Sequence, residues 1–316
     1  MLATLFLSAA LLLPSLVRSA PTPTTDAVAL TDVESKLRRP ALFARAAYCS
    51  SAPLTAWKCG TPCTDIGKVK FLQAGGDEGR IPLYFIAHDI ATNSLVVAHQ
   101  GTSSKNILSI LNDAKFALVD LNATRFPQFA DQGIKVHDGF QDTFERTADG
   151  LLDGVLKGLD ETGATQISVT GHSLGAAIAT MTGLWLKQNV DASIPVSVTG
   201  FGLPRGGNKE WADLLDSEVG VTFFTNQNDP VPTVPPLFLG FQHPSGEIHS
   251  VDDTQNSFLA CPGQDNENCA TGNSLLDASV ANHRGPYFDD LSFGGSQCPD
   301  LDADGNPIEG DDEDED

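Results

Sequence analysis

Apolar positions along the chain change period several times, and each change marks an element. Residues 34–49, ESKLRRPALFARAAYC, place Leu37, Ala41, Ala44 and Tyr48 at spacings of four, three and four, the period of an amphipathic helix. Residues 82–90, PLYFIAHDI, and 94–99, SLVVAH, are short β-rich runs separated by Ala91-Thr92-Asn93, which predicts a hairpin. A helical pattern follows over 141–159. Three short apolar runs come next, at 166–170 (QISVT), 195–201 (PVSVTGF) and 220–225 (GVTFFT), alternating with helical stretches at 174–188 and around 208–216. Buried strands that alternate with helices predict a mostly parallel sheet flanked by helices, with the hairpin adding antiparallel strands at one side.

Both ends depart from this pattern. Residues 2–17, LATLFLSAALLLPSLV, form an apolar run too short to span a bilayer comfortably, and small residues and the segment PTPTTD follow it. This reads as a secretory signal peptide, residues 1–19, cut after Ser19 or alternatively after Ala20. A buried amino-terminal helix is the competing reading, but Pro14 and the Pro/Thr segment would cut it short. No later run is long and apolar enough to span a membrane. Residues 20–299 are then expected to form one catalytic domain, since 316 residues with 41% apolar content can bury a substantial core. Residues 300–316, DLDADGNPIEGDDEDED, hold ten acidic groups and no base, which predicts a solvated acidic tail. The net charge of −22 and the lack of clustered Lys and Arg exclude nucleic acid as a partner.

Six cysteines, Cys49, Cys59, Cys63, Cys261, Cys269 and Cys298, suit disulfides in an exported chain. Spacing suggests local loops closed by Cys59 with Cys63 and Cys261 with Cys269, leaving Cys49 with Cys298, although sequence alone does not choose among fifteen pairings. The absence of a CxxC pair or a His-x-x-x-His partner argues against metal. Asn122-Ala123-Thr124 is a sequon, so Asn122 is a candidate glycosylation site.

The chemistry-bearing motif is Gly171-His172-Ser173-Leu174-Gly175, a G-x-S-x-G set between the strand QISVT and a small-residue helix. A sharp strand-to-helix turn presents a serine hydroxyl at the carboxyl edge of a sheet, and glycines on either side let neighbouring backbone pass closely. The Leu174 amide, at the helix start, is aimed where an oxyanion would form. A serine needs a base to take its proton and a carboxylate to hold that base in one tautomer, in the chain order Ser, acid, His. Asp229, in the loop after GVTFFT, is the candidate acid, with Asp252 and Asp253 as rivals; Asp213 and Asp216 fall in a helical pattern and read as solvated. His283, in a polar turn near the carboxyl terminus, is the candidate base, with His243 and His249 as alternatives. His172, beside the serine, should point elsewhere. A second oxyanion donor is expected from the loop after SLVVAH, where Thr102 could offer its amide and its hydroxyl. Directly afterwards, residues 104–114, SKNILSILNDA, carry Ile107, Ile110, Leu111 and Ala114 at helical spacing with Leu108 beside them, which predicts a short amphipathic helix.

These residues resemble the secreted fungal lipase family, which includes the Rhizomucor-type triacylglycerol lipases, the mono- and diacylglycerol lipases and the related feruloyl esterases. The resemblance runs from about Leu30 to Cys298 and rests on AAYC with KCGTPC, HQGTS, VHDGF, VTGHSLGAA, FGLPRGGN, NDPVP and HRGPYF. It implies an α/β-hydrolase fold, the triad Ser173, Asp229 and His283, Thr102 and Leu174 as the oxyanion hole, and the cysteine pairing given above. His137 matches a family position near the site and is expected to be structural. The amphipathic segment with Ile107, Leu108, Ile110 and Leu111 becomes a lid rather than an ordinary surface helix, and Asp113 matches the family aspartate that holds the oxyanion Thr. The implied protein is secreted and cleaves acylglycerol esters through an acyl-enzyme, with no cofactor and no metal. Its partner is a lipid or other ester at an oil-water interface, with peripheral lipid-surface contact only, and a monomer is favoured. A feruloyl or general carboxylesterase is the alternative, and a secreted binding protein without catalysis the reading from another class. Two features depart from the family: His99-Gln100 stands where many members have Arg, and the lid region is about two residues longer. Acyl-chain length, positional preference and the choice between tri-, di- and monoacylglycerol are not readable from the residues.

Overall fold

The structure, a computed structural model, describes residues 25–77, 81–102, 116–253, 257–288 and 290–299. The expected signal peptide, the acidic tail and the segment with Ile107, Leu108, Ile110, Leu111 and Asp113 lie outside these.

The strands form a nine-stranded sheet in the order β1-β11-β10-β9-β8-β7-β4-β3-β2. Its centre is parallel: β4 (Ser94–His99), β7 (Gln166–His172), β8 (Val196–Phe201), β9 (Val221–Asn226) and β10 (Glu247–Ser250). The expected hairpin is present as β3 (Tyr84–Asp89) with β4, and β2 (Val69–Gly75) adds one more antiparallel strand outside it. A second antiparallel set, β11 (Phe258–Cys261) and β1 (Asp26–Val28), closes the opposite edge, so antiparallel strands stand at both sides rather than one. A short pair, β5 (Leu118–Asp120) with β6 (Lys135–His137), lies apart.

Two layers of helix cover the sheet, which is why its central strands are apolar on both faces. Helix α1 (Leu30–Ala46) lies across β7, where Thr170 Oγ1 donates to the Pro40 carbonyl at 3.2 Å. The short helices α2 (Ser51–Thr55) and α3 (Thr61–Ile66) follow it. The opposite face carries α4 (Asp138–Glu145), α5 (Ala148–Thr162), α6 (Leu174–Asn189) and α7 (Lys209–Glu218). Alternation along β3 and β4 divides the cores: Phe85, Ala87 and Val96 face α1, while Ile86, Leu95 and Val97 face α5 and α6. Helix α6 is buried almost all round, as its small residues require, and a Cβ at Gly183 would stand 2.1 Å from Val198.

The helical stretch read at 141–159 is two helices, α4 and α5, broken at Arg146-Thr147. Phe140, Phe144, Ala148, Leu151 and Val155 all face one core across the break, so the apolar period runs through it unmarked. Disulfides join Cys49 to Cys298, Cys59 to Cys63 and Cys261 to Cys269. Among the described residues no helix is long and apolar enough to cross a membrane.

Candidate active site

Parallel strands end on one edge, and the loops leaving that edge converge. Ser173 follows β7 directly and precedes α6, at φ 59° and ψ −130°, a backbone conformation that a side-chain-bearing residue adopts only where its surroundings enforce it. Two contacts enforce it here. The Ser173 N–H donates to the Phe201 carbonyl at 2.9 Å, and Gly171 and Gly175 lie so close that a Cβ on the first would stand 2.3 Å from the second's carbonyl carbon. Ser173 is 4% exposed. Leu174 opens α6, so its N–H has no intrahelical acceptor. Thr102 leaves the end of β4, and among the described residues its buried Oγ1 has no hydrogen-bond partner.

Asp229 lies in the turn after β9 and is buried. Its Oδ1 accepts the Val231 N–H at 2.8 Å, and its Oδ2 lies 2.8 Å from His283 Nδ1. A carboxylate only accepts, so Nδ1 carries the proton and Nε2 keeps the lone pair. That Nε2 is buried and has no hydrogen-bond partner among the described residues. The turn after Asp229 is pinned by Arg205, which is buried and donates to the Thr233 and Pro235 carbonyls at 2.6 and 3.1 Å while pairing with Asp265 at 2.8 Å. Gly202, at the end of β8, lies against both partners of the pair, and its N–H donates to Phe224.

The rival groups are engaged elsewhere. His243 stacks on Phe223 and meets the Pro232 carbonyl at 2.9 Å, and burial lowers its pKa to about 4. His249 meets Thr225 at 2.8 Å, and burial lowers it likewise to about 4. His172 has both ring nitrogens engaged, Nδ1 at 2.6 Å from the Tyr48 hydroxyl and Nε2 at 2.7 Å from the His283 carbonyl. Asp213 pairs with Lys209, and Asp216 accepts from Ser245 at 2.8 Å. Asp252 and Asp253 lie in the loop after β10, and the carboxylate that meets His283 Nδ1 is that of Asp229. His137 stacks on Phe140 at 4.1 Å. Asn122 Nδ2 donates to Glu145 at 2.8 Å. Glu247, Cys261 and Cys269 cluster together, but both sulfurs are spent in a disulfide, so the group offers no thiolate.

Four residues that shape this site are not expected there from sequence: Tyr48, which reads only as a helix-face position, and Gly202, Asn226 and Arg205. Tyr48 lies inside AAYC and Arg205 inside FGLPRGGN, and Gly202 is the first of three glycines in the latter. Asn226 carries no local signal, since its partners lie more than fifty residues away, at Asn282 and Pro286.

A histidine bonded to a buried carboxylate, a serine with a strained backbone at a helix start and, among the described residues, a threonine hydroxyl without a partner thus come from loops at one edge of the sheet. The signature of the class 3 lipases matches residues 96–239. A secreted mono- and diacylglycerol lipase of Malassezia restricta is 34% identical over 225 residues, covering 71% of this chain and 70% of that one. A second, from Malassezia globosa, is also 34% identical over 225 residues and covers 71% of each. Lipase II from Rhizopus niveus shares the fold at a TM-score of 0.75 and 24% identity, over 86% of this chain and 99% of that one. Fold and comparisons together define a carboxylic ester hydrolase of the α/β-hydrolase fold. The chain belongs to the class 3 lipase family, and it is a secreted lipase.

Proposed function

We propose that the protein hydrolyses acylglycerol esters through a triad of Ser173, Asp229 and His283. The observation that carries this reading is the Asp229–His283 contact at 2.8 Å, which leaves His283 Nε2 free as a base beside the serine elbow. Ser173 Oγ attacks the ester carbonyl as Nε2 takes its proton, and Asp229 stabilises the imidazolium that forms. The oxyanion receives N–H donors from Leu174 and Thr102, and the Thr102 hydroxyl adds a third. Collapse expels the alcohol, protonated by His283, and water then releases the acid by the same steps in reverse.

The Malassezia relatives are named for mono- and diacylglycerols, and this supports partial glycerides as substrates. Peripheral contact with a lipid surface is supported by the turn Leu237–Leu239, which follows the Asp229 loop with Phe238 85% exposed, and by Leu276, 97% exposed ahead of His283. The segment 104–114 is proposed as a lid and 20–299 as the hydrolase domain. Ser173→Ala should remain folded and lose turnover and fluorophosphonate labelling together; hydrolysis near the wild-type rate would refute the triad. Rates on emulsified di- and triacylglycerol, a soluble short-chain ester and methyl ferulate, measured together, test the substrate: the diacylglycerol should be fastest, and preference for methyl ferulate would overturn the acylglycerol assignment.

A further inference from the structure

The helix that carries His283, α8, spans only Val280–Arg284. A helix this short does not hold itself together, and its last carbonyls have no intrahelical donors. Two of them are served by nearby main chain: Ala281 accepts from Gly285 at 3.1 Å and Arg284 from Phe293 at 2.8 Å. The two between are served by side chains from the sheet. Asn226 Nδ2 donates to the Asn282 carbonyl at 2.8 Å and reaches the Pro286 carbonyl at 3.2 Å. His172 Nε2 donates to the carbonyl of His283 itself at 2.7 Å, where the Tyr287 hydroxyl also donates at 3.2 Å.

The His172 bond has a defined direction. A carbonyl only accepts, so Nε2 carries the proton, and Nδ1 must then accept the Tyr48 O–H at 2.6 Å. The ring is neutral: burial, and the neighbouring His283, hold its pKa well below the ordinary value. It is also fixed in place, stacked on Phe293 at 4.2 Å and packed at a tilt against the His283 ring at 4.3 Å. Both donors sit at strand ends that carry the other two triad members. His172 ends β7 directly before Ser173, and Asn226 ends β9 three residues before Asp229.

We propose that His172 and Asn226 are positioning residues for ester hydrolysis: by holding the main chain of α8 to the two strand ends, they keep His283 Nε2 facing Ser173. The proposal rests on the triad assigned above. The Asp229 bond grips only Nδ1, and about that bond the imidazole can pivot. A shift of the helix backbone therefore moves Nε2 relative to the serine while the Asp229 contact survives. Neither residue touches substrate, and so their removal acts on the rate of acylation rather than on binding.

Three variants test this. His172→Phe keeps a ring against Phe293 and removes the N–H. Asn226→Asp keeps the shape and replaces the donor with an acceptor. Tyr48→Phe removes only the bond that orients His172. Each is assayed for melting temperature, for kcat and KM on a soluble p-nitrophenyl ester, and by proton NMR for the His283 Nδ1–H in its bond to Asp229. In folded His172→Phe and Asn226→Asp, kcat should fall about 10²-fold, as a displacement of an ångström costs, with KM unchanged and the Nδ1–H resonance retained but shifted. Tyr48→Phe should lose less, in the same direction. Folded variants with wild-type kcat, or a loss that only tracks the unfolded fraction, would overturn the proposal. If the first two do not fold, Tyr48→Phe decides by the same criteria. An active Ser173→Ala would instead sink the triad, whereas an inactive Ser173→Ala beside a fully active His172→Phe would sink the positioning role alone.

Discussion

A Cβ on Gly202 would stand 2.8 Å from His283 Cε1 and 3.0 Å from Asp229 Oδ2, at a backbone φ of +53°. The residue therefore has to be glycine twice over, for its conformation and for the space that His283 and Asp229 occupy. Gly202→Ala should cost roughly 1–2 kcal/mol through the left-handed backbone alone. It should also push His283 off Asp229, so that kcat on a soluble ester drops by about 10²-fold while KM changes little. Steady-state kinetics with a thermal melt will separate the two effects, and a wild-type kcat would show that the imidazole has room to yield. At this scale the sequence was legible where chemistry is local. Ser173 announces itself through the residues on either side of it. Asp229 and His283 did not: several carboxylates and histidines were open, and their positions in chain order, with the family resemblance, had to choose among them.

Among the elements, β9 and β10 share a buried polar chain. Thr225 Oγ1 lies 2.7 Å from Glu247 Oε1 and 2.8 Å from His249 Nδ1, and the Ala270 N–H reaches the same carboxyl oxygen at 3.1 Å. Burial raises the Glu247 pKa from 4.5 to about 7. The folded state then binds this proton more tightly than the unfolded chain, so its contribution is fully present below about pH 4.5 and is lost as pH rises through about 7. Glu247→Gln keeps an acceptor for both donors and removes the titration. Its melting temperature should match the wild type in acid and exceed it above neutrality, by on the order of 3 kcal/mol in stability. A difference that does not grow with pH would mean that Glu247 is ionised in the folded protein at neutrality. The strands β7, β8 and β9 were legible because both of their faces are covered. The four-residue strands β10 and β11 are too short to show a period, and β2, half-buried at an edge and bulged between Phe71 and Gln73, lacks clear alternation.

Across the whole molecule, burial sets the response to acid. His99 is lowered to about 3 by burial, and His137, His243 and His249 to about 4. His172 lies well below its ordinary value for the same reason. The unfolded chain binds protons at these positions from about pH 6.5 downward while the folded chain does not. Their contribution is therefore present above about pH 6.5 and lost as pH falls through about 4. Five histidines act in this direction against the single Glu247, and the melting temperature should decline steadily over that window. A scanning-fluorimetry series in which it stays level or rises would show that these rings take up protons without unfolding.

The sequence by itself determined what neighbours along the chain can enforce. The strand–serine–helix elbow, the doubly buried central strands and the hairpin follow from period and turn chemistry acting over a few residues, and the elbow's class of chemistry follows with them. Tertiary structure decided which distant groups meet. Asp229 and His283 are 54 residues apart, and His172 lies 111 residues from the carbonyl it holds. It also set the sheet order, with antiparallel strands at both edges, and the break at Arg146-Thr147 inside a continuous apolar period. The reason is common to all of these. A buried carbonyl, carboxylate or ring nitrogen must find a partner, and the sequence records the need without recording where the partner will be.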